Sequence, residues 1–355
     1  MKITIQKQIL ENIISNLNSY LEKRDSSAIT SHIYFNASNK SLIIRATDQE
    51  MGLNYTIKDL VIKEEGCATA HGKDLLDRIK SLKDGEITIY TENDIMYIKQ
   101  NLSLFDLNMQ RASDYPDFPT IENKNKFNIN ANLILAGLKK VESCIDANNA
   151  KIEFTGALLD IKKDRLNIVG TDGKRVTAYT INVSSDEEFK IILPKRAISE
   201  FSKLINQKIE IFYDDIMLIA KSEDFTFFIK LINGKYADYE RLLSQNYSNE
   251  ITLKRDEIVG ALKTVRIVDE NVNIIFSKNT IDFMVLAKVG SKGKTTIETE
   301  LDVNNKYEIN VKNKNMLDFL ASVDTEFFTL KYNEPGLPIL LNSENLTAVM
   351  TQIRN

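Results

Sequence analysis

IRATDQEMGLNY (Ile44–Tyr55) and IVGTDGKRVTAY (Ile168–Tyr179) follow one plan: an apolar run, a Thr-Asp turn and a second strand-like stretch. Thr47 and Thr171 lie 124 residues apart. A true repeat must reproduce core positions as well as turns. Leu10, Ile14 and Leu17 fall at i, i+4 and i+7, the apolar stripe of an amphipathic helix. The same offset leads to Ile134, Leu138 and Val141, and a second step leads to Ile258, Leu262 and Val265. Three helices thus carry one stripe at one spacing.

The rest of each unit agrees. Alternating stretches follow each helix: HIYFNASNKSLIIRA from His32, KIEFTGALLDIKKDRLNIVG from Lys151 and NVNIIFSKNTIDFMVLAKV from Asn271. Their period of two and their turn residues predict hairpins. A second helix follows in each unit, from His71, Pro194 and Lys312, with Pro194 suited to a first helical turn. Further strands come after it, and YPDF at Tyr115 and YADY at Tyr236 close the first two units. The expectation is an α+β protein of three domains, 1–122, 123–246 and 247–355, each with two helices packed on antiparallel sheets. Helices are expected over 7–24, 71–83, 130–145, 194–208, 254–268 and 312–323.

At 355 residues, 43% hydrophobic and 27% charged, the chain has the composition of a globular protein with several cores. Met1–Ile5 alternates at once, without a signal-peptide pattern, and no stretch approaches the roughly 18 apolar residues of a membrane span. A cytoplasmic protein with no membrane partner is expected. Cys67 and Cys144 stand alone, so buried thiols are expected, with no disulfide, metal or cofactor.

The net charge of −4 argues against a nucleic-acid partner until its distribution is examined. The six expected helices hold 19 Lys and Arg against 9 Asp and Glu, and each is individually positive. That leaves −14 for the remainder. Solvated helix faces would carry mixed signs. A basic helix face with an acidic exterior instead suits phosphate contact on duplex nucleic acid without sequence reading.

Catalytic patterns are lacking. GSKGKTT at Gly290 has Lys288 where a phosphate-binding loop needs its first Gly, and it lies between strands as a basic hairpin tip. His32 opens a strand and His71 stands near a helix start, neither spaced for a nucleophile or metal. Asp214-Asp215 and Glu64-Glu65 read as turns.

TDQEM in the first unit, TDGKRV in the second, LPKRAISEF at Leu193 and NGKYADYERLL at Asn233 together resemble the bacterial sliding clamp family, the beta subunit of DNA polymerase III. AVMTQIRN at the end fits more loosely. The resemblance implies three repeated DNA-clamp domains that form a ring as a head-to-tail homodimer around double-stranded DNA. It also implies a non-catalytic processivity factor that tethers the replicative polymerase, clamp loader and repair proteins through short peptides. The peptide pocket carried over by matching comprises Phe154, Thr171, Gly173, Lys174, Arg175, Val176, Ala237, Arg241, Leu242, Val349 and Met350. The first copy, with Gln49-Glu50 in place of Lys174-Arg175, is expected to be structural only. Matching DNA-contact positions are Arg24, Lys73, Lys80, Asn148, Lys195 and Arg196. Matching dimer-interface positions are Phe105 and Leu107, against Val265, Ile267 and Val268 of a second chain; domain core is the other reading of these five. Ala237 and Thr351 depart from the family, which usually has Pro at both. A monomeric repeat scaffold that binds only proteins would explain the repeat but not the charge partition. An enzyme acting on DNA has least support.

Overall fold

The computed structural model describes residues 1–127, 129–204, 209–286, 292–301, 303 and 306–353. Its helices are α1 (Lys7–Leu17), α2 (Gly72–Ser81), α3 (Ala131–Val141), α4 (Lys195–Leu204), α5 (Tyr239–Leu243), α6 (Arg255–Val265) and α7 (Asn313–Ser322). The three stripes are core: Leu10, Ile14, Leu17, Leu138, Val141 and Leu262 are inaccessible, and Ile134, Ile258 and Val265 nearly so. Burial of this face, more than intrinsic propensity, holds helices of ten or eleven residues.

The chain divides into two compact units. The first combines Met1–Asn128 with Asn206–Lys230, and the second combines Ile129–Ile205 with Leu231–Asn355. Every strand pairing in both is antiparallel. The first unit has a five-stranded sheet with Ser103–Asn108 at one edge, and an eight-stranded sheet. In the latter, Phe225–Lys230 pairs with Met51–Ile57, so strands late in the second repeat extend the first repeat's sheet. The second unit's eight-stranded sheet continues in the same way, from Arg175–Asn182 to Leu346–Met350. Its four-stranded sheet has Lys292–Glu298 at one edge. Compactness thus follows shared sheets instead of the sequence repeat.

Several expectations change. All six expected helices start within a residue of expectation, at Lys7, Gly72, Ala131, Lys195, Arg255 and Asn313, but most end early. After Leu17 the chain turns through the 3-10 segment Asn18–Tyr20, and after Val141 through Glu142–Cys144. Asn18 and Ser19 are poor helix continuers because their side chains compete for backbone groups. Pro194 is the last residue of strand Phe189–Pro194, not a helical one. The short α5 went unforeseen. Residues 205–208 of the expected fourth helix, and 287–291 with Gly290, lie outside the described residues. Cys144 is buried as expected, but Cys67, near the start of strand Gly66–His71, is exposed.

The charge expectation also needs correction. Within its actual bounds, α1 carries Lys7 and Glu11, α6 carries Arg255 and Lys263 against Asp256 and Glu257, and α7 carries Lys314 and Asp318. These three are neutral. Lys7 is buried against Glu11 and Asp84. The excess that the longer spans counted sits outside the helices, at Lys23, Arg24 and Arg266 after them and at the strand ends Lys254 and Lys312 before them. Only α2, α3 and α4 remain positive within their own bounds.

Candidate functional site

The Thr-Asp turn of the second repeat is closed by its own side chains. Thr171 Oγ1 accepts from the Gly173 N–H at 3.0 Å and donates to the Arg175 carbonyl at 2.7 Å. Asp172 Oδ1 accepts from the N–H groups of Lys174 and Arg175. Gly173 has φ +87°, a conformation in which Gly avoids the Cβ clash. The first repeat makes the same four bonds with Thr47, Asp48, Gln49, Glu50 and Met51, with Gln49 at φ +70°. This register corrects the pairing of Gln49-Glu50 with Lys174-Arg175: Met51 is the equivalent of Arg175, and Glu50 of Lys174.

The turn exposes Gly173 and Lys174 and sends Arg175 inward. Beside it, Phe154 meets Tyr236 edge to face, with ring centres 5.8 Å apart, and an added Cβ on Gly173 would lie 3.8 Å from the Phe154 ring. Val176 joins a cluster of Leu158, Val169, Ala178, Ile192 and Tyr239, against which Tyr236, Leu242 and Leu243 pack. The short α5 that supplies Leu242 and the exposed Arg241 is capped by Asp238, whose carboxylate accepts from the Arg241 N–H. Its Tyr239 is fixed from below, donating to Asp160 Oδ2 at 2.6 Å and accepting from Asn167.

The third repeat completes the arrangement. Val349 pairs with Val176 and Met350 with Arg175 in adjacent strands, and α5 packs on strand Leu346–Met350. Thr351 then donates both its N–H and its hydroxyl to the Lys174 carbonyl, at 3.0 and 2.9 Å. A Pro at this position could not supply the first bond. Ala237 leaves its carbonyl to accept from the Tyr239 N–H. The eleven candidate residues therefore converge within the second unit. Phe154, Val176, Leu242, Val349 and Met350 are its apolar part, and Gly173, Lys174 and Arg241 are exposed. Arg175 is the exception, its buried guanidinium turned away from that rim toward the Ser143 carbonyl and Asp318.

Arg24, Lys73, Lys80, Asn148 and Arg196 are exposed, while the Lys195 ammonium donates to the Ile145 carbonyl at 2.6 Å. Arg175 and Lys195 also line a polar cavity of about 540 Å³ with Arg266, Lys312 and Lys314, a grouping the sequence reading missed. Arg266 and Lys312 flank helices, which is the signal that could have found them. Phe105 is half-buried and Leu107 buried on the edge strand Ser103–Asn108. Val265 is core, Ile267 is 90% exposed, and Val268 lies against Gly293 of the other edge strand.

His32 and His71 face each other across adjacent strands, with ring centres 5.9 Å apart. Burial, and then the charge of His71, hold the His32 imidazole down at about 4. Among the described residues no cluster of His, Cys, Asp and Glu could hold a metal, and no helix is long and apolar enough to cross a membrane.

Paired helices on antiparallel sheets and a buried stripe repeated three times define a protein built from clamp-type repeats. Residues 1–119 match the DNA polymerase III beta subunit N-terminal domain, and residues 128–238 its central domain. The Beta sliding clamp of Helicobacter pylori strain J99 is 35% identical over 351 residues, 96% of this chain and 94% of that protein. The structure of the Helicobacter pylori beta clamp bound to a DNA ligase peptide superposes with a TM-score of 0.92 at 33% identity, covering 100% of both chains. The Pseudomonas aeruginosa DNA polymerase III beta subunit, 21% identical with a TM-score of 0.93 and 100% coverage of both chains, shares the fold. The chain belongs to the DNA polymerase III beta subunit family, the beta sliding clamps. It is a sliding clamp, a non-catalytic subunit of the polymerase assembly.

Proposed function

We propose that two copies of the chain join head to tail around duplex DNA in the cytoplasm, and that peptides of the replicative polymerase, clamp loader and repair proteins dock on the ledge around Val176. Each copy contributes three clamp domains, 1–122, 123–246 and 247–355. This reading is supported by the three buried stripes and by strands shared across the domain limits. Residues from the second and third domains meet at one ledge. Apolar anchors with a small polar rim suit a linear peptide, whose affinity rests on a few buried side chains.

The observation that carries the ring is a pair of unfinished edges. Strand Ser103–Asn108 ends one sheet, and its Leu104 is 54% exposed, with Phe105 half-buried beside it. Strand Lys292–Glu298 ends another, with Val268 against it and Ile267 outward. Such edges invite pairing with another chain. A heterologous contact of this kind closes into a ring when the rotation permits. In the ring, Arg24, Lys73, Lys80, Asn148, Lys195 and Arg196 contact backbone phosphates. Diffuse attraction of this kind permits sliding, and topology supplies the retention.

Light scattering on a sizing column at low micromolar concentration tests the assembly. The mass of two chains is expected. The mass of one chain would remove the interface assignment and leave a monomeric scaffold.

A further inference from the structure

Arg175 belongs to the turn that walls the peptide site, yet its side chain leaves that site. Nε lies 3.0 Å from Asp172 Oδ2, and Nη2 lies 2.6 Å from the Ser143 carbonyl and 2.9 Å from Asp318 Oδ2. Nη1 reaches toward the Asn315 carbonyl at 3.5 Å. A guanidinium has five N–H donors, and most of these are already directed at acceptors within the protein. Ser143 and Asp172 come from the second repeat, whereas Asn315 and Asp318 belong to α7 of the third.

The first repeat provides an internal control. Met51 occupies the equivalent position, and the turn closes there with the same four hydrogen bonds. The turn itself therefore does not need an arginine. What the arginine adds in the second copy is a bond to α7. The ledge has the same division: Phe154, Val176 and Leu242 come from the second repeat, and Val349 and Met350 from the third. Met350 pairs directly with Arg175 through the backbone.

We propose that Arg175 is a positioning residue, which does not touch the docked peptide but pins the site's turn to Asp318 and so fixes the two walls of the ledge relative to each other. This deepens the peptide-site reading and rests on it. An ion pair enclosed by protein is screened little by solvent, and its rigid fork holds orientation as well as distance. Losing either partner lets the second-repeat wall shift against the third. By linkage, peptide binding and the Arg175–Asp318 bond stabilise each other.

The test measures binding of a fluorescein-labelled DNA ligase peptide, the kind of ligand bound by the Helicobacter pylori clamp, to the full-length protein by anisotropy. Hydrogen exchange of the α7 amides is followed in parallel. Arg175→Met, which copies Met51, and Asp318→Asn are each expected to weaken binding about fivefold. The double variant should be no weaker than either single one, and α7 exchange should quicken in all three. Lys314→Ala removes the other ion pair of Asp318 and should leave affinity unchanged. Leu242→Ala should weaken binding with α7 exchange unaltered.

Loss of affinity in Arg175→Met with none in Asp318→Asn would overturn the proposal and make Arg175 a direct contact. Should Arg175→Met not fold, Asp318→Asn decides alone: unchanged affinity overturns the proposal. Unchanged binding in Leu242→Ala would instead remove the peptide site itself, and the two failures are thereby separated.

Discussion

Tyr115 and Tyr236 make the same pair of hydrogen bonds in two different repeats. The Tyr115 hydroxyl lies 3.0 Å from the His32 carbonyl and 3.4 Å from that of Arg45. The Tyr236 hydroxyl lies 3.4 Å from the Gly156 carbonyl and 3.2 Å from that of Val169. Each acceptor of the second pair stands 124 residues after its counterpart. Burial raises the pKa of both phenols, so both stay protonated donors at neutral pH. Tyr115→Phe and Tyr236→Phe should each cost about 1–2 kcal/mol in chemical denaturation, since two buried carbonyls lose a donor. A cost confined to one of them would break the equivalence.

The two Thr-Asp turns differ at the position that needs a left-handed backbone, which is Gln49 in one and Gly173 in the other. L-residues other than Gly pay roughly 1–2 kcal/mol there. Gln49→Gly should raise stability by about 1 kcal/mol, and Gly173→Ala should lower it by a similar amount. Space is not the obstacle at Gly173, where the nearest ring atom would be 3.8 Å from the new Cβ. Thermal or denaturant midpoints of the two variants should move in opposite directions.

His32 predicts an acid sensitivity. Its imidazole is held at about 4 by burial first and by His71 second, against an ordinary 6.5. The unfolded chain therefore takes up a proton that the folded chain refuses. The stability His32 contributes is complete above about pH 6.5 and is lost as pH falls toward 4, a change on the order of 2–3 kcal/mol. His32→Phe keeps a ring beside His71 but cannot titrate. Across that window the variant should gain on the parent, and a constant difference in their unfolding midpoints would contradict this.

Val265 and Ile267 were grouped by resemblance, but burial separates them. Val265 is 2% exposed and belongs to the third repeat's core. Val265→Asp places an unpaired carboxylate there and should unfold that region. Ile267→Asp changes an exposed side chain and should leave the unfolding temperature within a degree or two, while converting the two-chain mass to one. Dimeric Ile267→Asp would exclude this residue from the interface.

Much of the fold was legible because the stripe Leu10, Ile14, Leu17 obeys a local rule, and its copies obey the same rule at a fixed offset. Strand and turn signals around Thr47 and Thr171 are local too. Less legible was whatever depended on which strand pairs with which. The pairing of Phe225–Lys230 with Met51–Ile57 joins residues far apart in sequence, and no periodicity announces it. The same limit applies to the site. TDGKR marks a turn, but only the backbone course shows Lys174 outward and Arg175 inward toward Asp318. Helix charge was misjudged at the ends, where Asn18 and Ser19 stop α1 before Lys23 and Arg24.

The most direct test of the encircling clamp is retention on DNA. The protein is loaded by its clamp loader onto nicked circular duplex, passed through a sizing column in moderate salt, and compared after a single cut linearises the circle. Held by topology, it should elute with the circle and be lost from the linear form, with Lys73→Glu and Lys80→Glu altering loading more than retention. Equal retention on circular and linear DNA would mean that affinity holds the protein, and would contradict the account.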